Sequence, residues 1–166
     1  MNVYLDNAAT TALDAEVLSA MIPHLTHQFG NPSSGHCFGR QARQAVDTAR
    51  KNVAELLHAS PEEIYFTSGA TESDNLAITG VLQSYGIRSV ITSPLEHHAV
   101  LHCLEFHQRE SGVALNYVKL RENGQVDLFH LEALLQQHPG CLVTLMHANN
   151  ETGNVTDIDT VGHLCR

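Results

Sequence analysis

Ile64-Tyr65-Phe66-Thr67-Ser68-Gly69-Ala70-Thr71-Glu72-Ser73 decides the fold. The β-branched and aromatic run from Ile64 to Thr67 reads as a short strand. Ser68-Gly69-Ala70 is a small-residue turn, and the apolar positions Leu76, Ile78, Val81 and Leu82 then predict a helix over 71–84. A strand, a tight turn and a helix gather unpaired backbone N–H groups at one point, where the positive end of the helix dipole also lies. Such a junction suits a phosphate group. Gly-Ala ahead of a helix is also ordinary turn chemistry, so the turn draws its weight from two later segments. These are Glu96-His97-His98 and Asn149-Asn150-Glu151-Thr152-Gly153, each placed after a predicted strand.

Outward from this junction the chain alternates. Asp14 caps a first helix with Leu18, Met21, Ile22 and Leu25 on one face. Gly30-Asn31-Pro32-Ser33-Ser34-Gly35 is a polar loop, and a longer helix carries Ala42, Ala45, Val46, Ala49, Val53, Leu56 and Leu57 on one face. Ser60-Pro61-Glu62-Glu63 is a capping box with proline at the first helical position. Strand 89–93 leads to helix 98–110, and strand 114–119 leads through Glu122-Asn123-Gly124 to a helix with Leu128, Leu131, Leu134 and Leu135. Strand 141–146 is apolar except for Thr144, as expected of a strand covered on both faces, and Asp157 caps a last helix.

Strands alternating with helices of this length predict an α/β fold, with a mostly parallel sheet and flanking helices. Ligands in such sheets bind beyond the carboxyl ends of the strands. All three polar motifs are predicted there, which points to one composite site.

Composition narrows the function. The 166 residues suffice for one domain with a core, and 43% hydrophobic against 16% charged residues is an ordinary globular balance. A net charge of -9 argues against nucleic acid as a partner. No apolar run reaches the roughly 18 residues of a membrane span and no secretory signal opens the chain, so a cytoplasmic location is expected. Cys37, Cys103, Cys141 and Cys165 form no CxxC pair and read as reduced thiols. The 12 histidines show neither HExxH nor zinc-site spacing, so no metal is expected; a histidine-based metal-binding module is the last-ranked alternative.

Five ordered motifs carry a more specific resemblance. They are Tyr4-Leu5-Asp6-Asn7-Ala8-Ala9-Thr10-Thr11, Gly30-Asn31-Pro32-Ser33-Ser34, Phe66 to Ala77, Glu96-His97, and Met146 to Gly153. From Tyr4 to its last residue the chain resembles the N-terminal part of the cysteine desulfurases, fold-type I pyridoxal-phosphate enzymes of the class V aminotransferase group. The resemblance implies a partial large domain of the pyridoxal-phosphate-dependent transferases. On that basis residues 1–166 form a single domain, with an N-terminal segment of about 1–60 and an incomplete cofactor-binding large domain of about 61–166. It also implies site residues. Ala70 and Thr71 hold the phosphate of pyridoxal 5'-phosphate through N–H groups and a hydroxyl. His97 stacks on the pyridine ring, moves protons and is the catalytic candidate; Asn150 lies near the ring hydroxyl and the substrate.

Read from the residues alone, His97 is also a strand-end histidine bonded to backbone, and Asn150 a turn residue. The implied reaction takes sulfur from L-cysteine, leaves L-alanine and passes the sulfur to an acceptor protein, in the service of iron–sulfur cluster assembly. A homodimer or other self-association is expected with it. Neither Lys51 nor Lys119 sits in the Ser-x-His-Lys setting of the family's Schiff-base lysine, and none of the four cysteines matches its nucleophile. The chain thus reads as a truncated N-terminal part, inactive alone. The alternatives are a selenocysteine lyase, which shares these motifs, and a non-catalytic remnant that binds a ligand or an intact desulfurase subunit.

Overall fold

A computed structural model describes all 166 residues, which divide into two compact units, Met1–Phe66 and Thr67–Arg166. The first unit is helical. Helix α1 (Ala15–Thr26) starts where the Asp14 carboxylate accepts hydrogen bonds from the N–H groups of Glu16 and Val17, at 2.8 and 3.3 Å. Its apolar stripe is not covered: Leu18, Met21, Ile22 and Leu25 are all exposed.

Helix α2 (Cys37–Leu56) buries Gly39, Ala42 and Ala54, while Val46, Ala49, Leu56 and Leu57 of the expected apolar face stay in solvent. The polar loop before it folds onto the first turn of α2. Ser34 N–H donates to the Asn31 carbonyl at 2.9 Å and Arg43 Nε donates to the Pro32 carbonyl at 2.9 Å. A Cβ at position 39 would stand 2.2 Å from the Ser34 carbonyl oxygen, so this close approach requires glycine. The capping box forms as the sequence indicates. Glu63 accepts from both the N–H and the hydroxyl of Ser60 at 2.8 Å, around the 3-10 turn Pro61–Glu63.

The predicted strand 64–67 does not form. Its composition favours extended backbone, but a strand exists only as part of a ladder and no other strand pairs with it. The Arg50 guanidinium donates to the Ile64 carbonyl instead, and its charge lies 5.0 Å over the Phe66 ring.

The second unit is the α/β layer structure. It runs α3 (Ala70–Ser84), β1 (Ser89–Thr92), α4 (His98–Ser111), β2 (Ala114–Tyr117), α5 (Leu128–Gln137), β3 (Leu142–Thr144) and α6 (Ile158–Leu164). The sheet order is β2-β1-β3, parallel throughout, with Ile91 of β1 opposite Asn116 and Val143. Strand alternation sends successive β1 side chains to opposite faces. Val90 joins Ile78, Leu82, Val100, Cys103, Leu104 and Val113 in the layer of α3 and α4. Ile91 joins Val118 and Leu131 under α5 and α6. Residues 141–146 were expected to be covered on both faces, yet β3 spans only Leu142–Thr144 and is half-buried throughout. It is an edge strand, so only one side of its backbone finds a partner.

Helix ends in this unit follow local chemistry. Asp127 caps α5 and Asp157 caps α6, each carboxylate accepting from N–H groups of the first turn. Gly112 ends α4 at φ 65°, the left-handed conformation that glycine adopts without strain.

Candidate functional site

Two parallel strand exits and one helix start supply the site residues. Ala70 and Thr71 are the first two residues of α3, behind the extended Gly69. The first intrahelical bond runs from Ser73 N–H to the Gly69 carbonyl at 3.1 Å, which leaves the N–H groups of Ala70, Thr71 and Glu72 without a protein acceptor. The one carboxylate of this turn is engaged elsewhere. Glu72 accepts from the N–H and hydroxyl of Ser68 at 2.6 and 2.7 Å, bonds that hold it below the usual carboxylate range. Asn75 Nδ2 donates to the Thr71 carbonyl at 2.7 Å and steadies the turn.

After β1 the chain makes a tight turn in which Ser93 accepts the N–H groups of Leu95 and Glu96. His97 then caps α4, its Nδ1 accepting from Ala99 N–H at 3.1 Å. That bond fixes the neutral tautomer with its proton on Nε2, so the ring presents an N–H away from the helix. His97 is therefore a capping residue, the structural role read for it from local chemistry, and it still keeps a free Nε2. His97 and Thr71 line one open groove between α3 and α4, together with Asn75, His98, His102 and Phe106.

After β3 the chain forms a small hairpin closed by the antiparallel bridge of Ala148 and Val155. Asn149 is its keystone. Its Oδ1 accepts from Glu151 and Thr152 N–H, both at 2.9 Å, and its Nδ2 donates to the Leu95 carbonyl at 3.0 Å. Asn150 is exposed, and its amide donates only to Glu151, at 3.2 Å. The predicted site residues are thus brought together in part: Thr71 and His97 line one groove, with Ala70 next to Thr71 at the start of α3, while Asn150 does not line that groove.

The residue that joins the two sides is Glu96, to which sequence reasoning assigned no role. It is buried, with 8% of its surface exposed, and its Oε1 accepts the Met146 N–H at 2.6 Å. Burial pushes this carboxyl above its ordinary value, against the lowering effect of the Met146 bond; the charge of Asp74 pushes it further up. The bonds from Met146 and Asn149 staple the exit of β3 to the exit of β1. The only signal in the sequence was a glutamate just past a predicted strand; its burial and its partner fifty residues away emerge only in the fold.

With this geometry the chain compares closely with known proteins. Residues 3–166 match the family model of the class-V aminotransferases. The chain belongs to that family. This class-V chain is 48% identical over 167 residues to the cysteine desulfurase IscS of Neisseria meningitidis serogroup A, covering 99% of this chain and 41% of that protein. It is also 48% identical over 169 residues to the IscS of Vibrio cholerae O395, with the same coverage. The chain therefore spans about two-fifths of the length of the curated relatives it matches.

Among solved structures, a NifS-like protein superimposes with a TM-score of 0.93 at 39% identity, covering 99% of this class-V chain and 45% of its own. A structure described as SspA in complex with cysteine does so with a TM-score of 0.85 at 35% identity, covering 95% of this chain and 45% of that one. Nothing in the fold is long and apolar enough as a helix to cross a membrane.

Proposed function

We propose that this chain supplies the phosphate and ring side of a pyridoxal 5'-phosphate site in a cysteine desulfurase, which takes sulfur from L-cysteine and hands it to an acceptor protein. One observation carries the reading: the N–H groups of Ala70 and Thr71 are unpaired at the start of α3, and Thr71 lines the groove that His97 also lines. The residues fit the group. A phosphate is accepted by free N–H groups at the start of a 15-residue helix, and its charge is favoured by the helix dipole. The Thr71 hydroxyl has no protein partner and adds a donor. His97 offers a flat ring with a free Nε2–H, suited to stacking on an aromatic ring and to holding a proton beside it. Asn150 sits in the neighbouring hairpin that Asn149 ties to the Leu95 carbonyl, and its amide donates to Glu151.

When bound, the cofactor supplies an electron sink for the substrate carbon. The chain's own residues bind its phosphate, orient its ring and hold a proton at His97 Nε2. No lysine of this chain lines the groove. The cytoplasm is the setting proposed for this chemistry, with iron–sulfur cluster assembly as its use. The open stripe on α1 favours self-association, a homodimer among the possible forms, over a lone monomer in solution. A monodisperse monomer in sedimentation equilibrium would contradict that last point.

The test uses the 166-residue chain, isotopically labelled. Pyridoxal phosphate, and more weakly inorganic phosphate, are expected to shift the amide resonances of Ala70 and Thr71. Thr71→Ala weakens binding about tenfold, the effect of one hydrogen bond to a charged group. With cysteine added, the loaded chain releases no sulfide above a protein-free control. Unmoved amides at 70 and 71 sink the phosphate assignment, and sulfide release sinks the expectation that this chain alone is inactive.

A further inference from the structure

Twelve histidines are present, and the proposed cofactor chemistry uses one of them. Two others stand together on α4. His98 and His102 are four residues apart on a continuous helix, which puts both side chains on one face. Their rings lie 5.3 Å apart between centroids and within 26° of parallel. Both residues are exposed and line the groove between α3 and α4.

Each neighbouring histidine has one ring nitrogen bonded within the protein. His97 Nδ1 caps α4, and His107 Nε2 bonds the Thr79 hydroxyl at 2.9 Å. No protein hydrogen bond engages any ring nitrogen of His98 or His102.

We propose that His98 and His102 form a two-histidine clip for a borderline divalent transition metal such as Ni²⁺ or Zn²⁺. Imidazole is the ligand type these ions favour. A metal–nitrogen bond of about 2.1 Å places each ring centre about 3.2 Å from the ion, and two ligands at about 90–110° put the centres about 4.5–5.3 Å apart. The observed 5.3 Å meets that requirement without moving the backbone. Turning the two solvent-exposed rings about their own bonds aims the nitrogens at a common point. No further histidine, cysteine or carboxylate joins them to make a group of three. Water completes the coordination, so the ion exchanges readily. The position near the start of α4 opposes a cation, which lowers affinity by a few-fold. The chelate outweighs this, because the second imidazole binds from an already tethered position.

The experiment is a calorimetric titration of the full 166-residue chain with nickel chloride, in a phosphine reductant that keeps the cysteines reduced. His98→Gln and His102→Gln are the test variants. Both sites are exposed, so the fold survives, as far-UV circular dichroism would verify. His147→Gln is the control, an exposed histidine outside the pair. Each test variant is expected to lose affinity by roughly tenfold or more, with the control unchanged. Absence of nickel binding in the parent chain overturns the proposal. So does parent-like affinity in either test variant.

Discussion

Glu96→Ala is expected to destabilise the Thr67–Arg166 unit by about 1–3 kcal/mol, whereas Glu96→Gln holds or raises its stability at neutral pH. The alanine variant removes the acceptor of the Met146 N–H and leaves that half-buried donor unpaired. The glutamine variant keeps an oxygen in place and removes a buried charge. The two variants part because a lost acceptor strands a donor, while a lost charge relieves desolvation.

The pH dependence has a definite sign. Burial raises the Glu96 carboxyl above its ordinary 4.5, so the folded state holds this proton more tightly than the unfolded one. Its contribution to stability is therefore full below 4.5 and declines as pH rises through the folded value. Carboxylates such as Glu63, Glu72 and Asp157 are shifted the other way and stabilise with rising pH. The informative quantity is the difference between Glu96→Gln and the parent in urea unfolding, which should grow as pH rises past 4.5. A difference that shrinks with pH, or an alanine variant as stable as the glutamine one, refutes this account. Hydrogen exchange supplies a local check: the Met146 amide loses protection in the alanine variant alone.

Leu104→Ala should cost about 2–5 kcal/mol, the range for emptying a buried leucine site. Leu104 is fully buried at 0% exposure, between Val90 of the central strand and Ile78 and Leu82 of α3. Its neighbours are held by the sheet and by α3, so the void cannot fully collapse. A unit of this size has roughly 5–15 kcal/mol of stability to lose, so the transition midpoint should fall sharply. Leu104→Met, which keeps the volume, should cost under about 1.5 kcal/mol. An alanine variant within 1 kcal/mol of the parent, on the order of the methionine cost, would mean that α4 is not packed on the sheet as described.

Local chemistry was legible wherever a few neighbouring residues settle the outcome. Asp14, Ser60 with Glu63, Asp127 and Asp157 mark helix starts because a short polar side chain can satisfy N–H groups two or three positions on. Ile64 to Thr67 misled for the opposite reason. Its residues favour extended backbone, but pairing depends on a partner strand that a local window does not contain. Asn149 and Asn150 are adjacent and identical in type, yet one is locked by three bonds and the other is nearly free. Spacing could not tell them apart, because the difference lies in which one faces the Leu95 carbonyl.

The amino-acid order by itself determined the alternation of helices and strands from α3 onward, the helix caps and the free N–H groups at Ala70 and Thr71. Each rests on periodicity or on bonds spanning a handful of residues. Only the tertiary structure decided that Thr71 and His97 share a groove, and that Glu96 ties the β1 exit to Met146, fifty residues along the chain. Long-range bonds of this kind depend on how helices and strands stack. That stacking is set by burial summed over the whole unit, not by any short stretch within it.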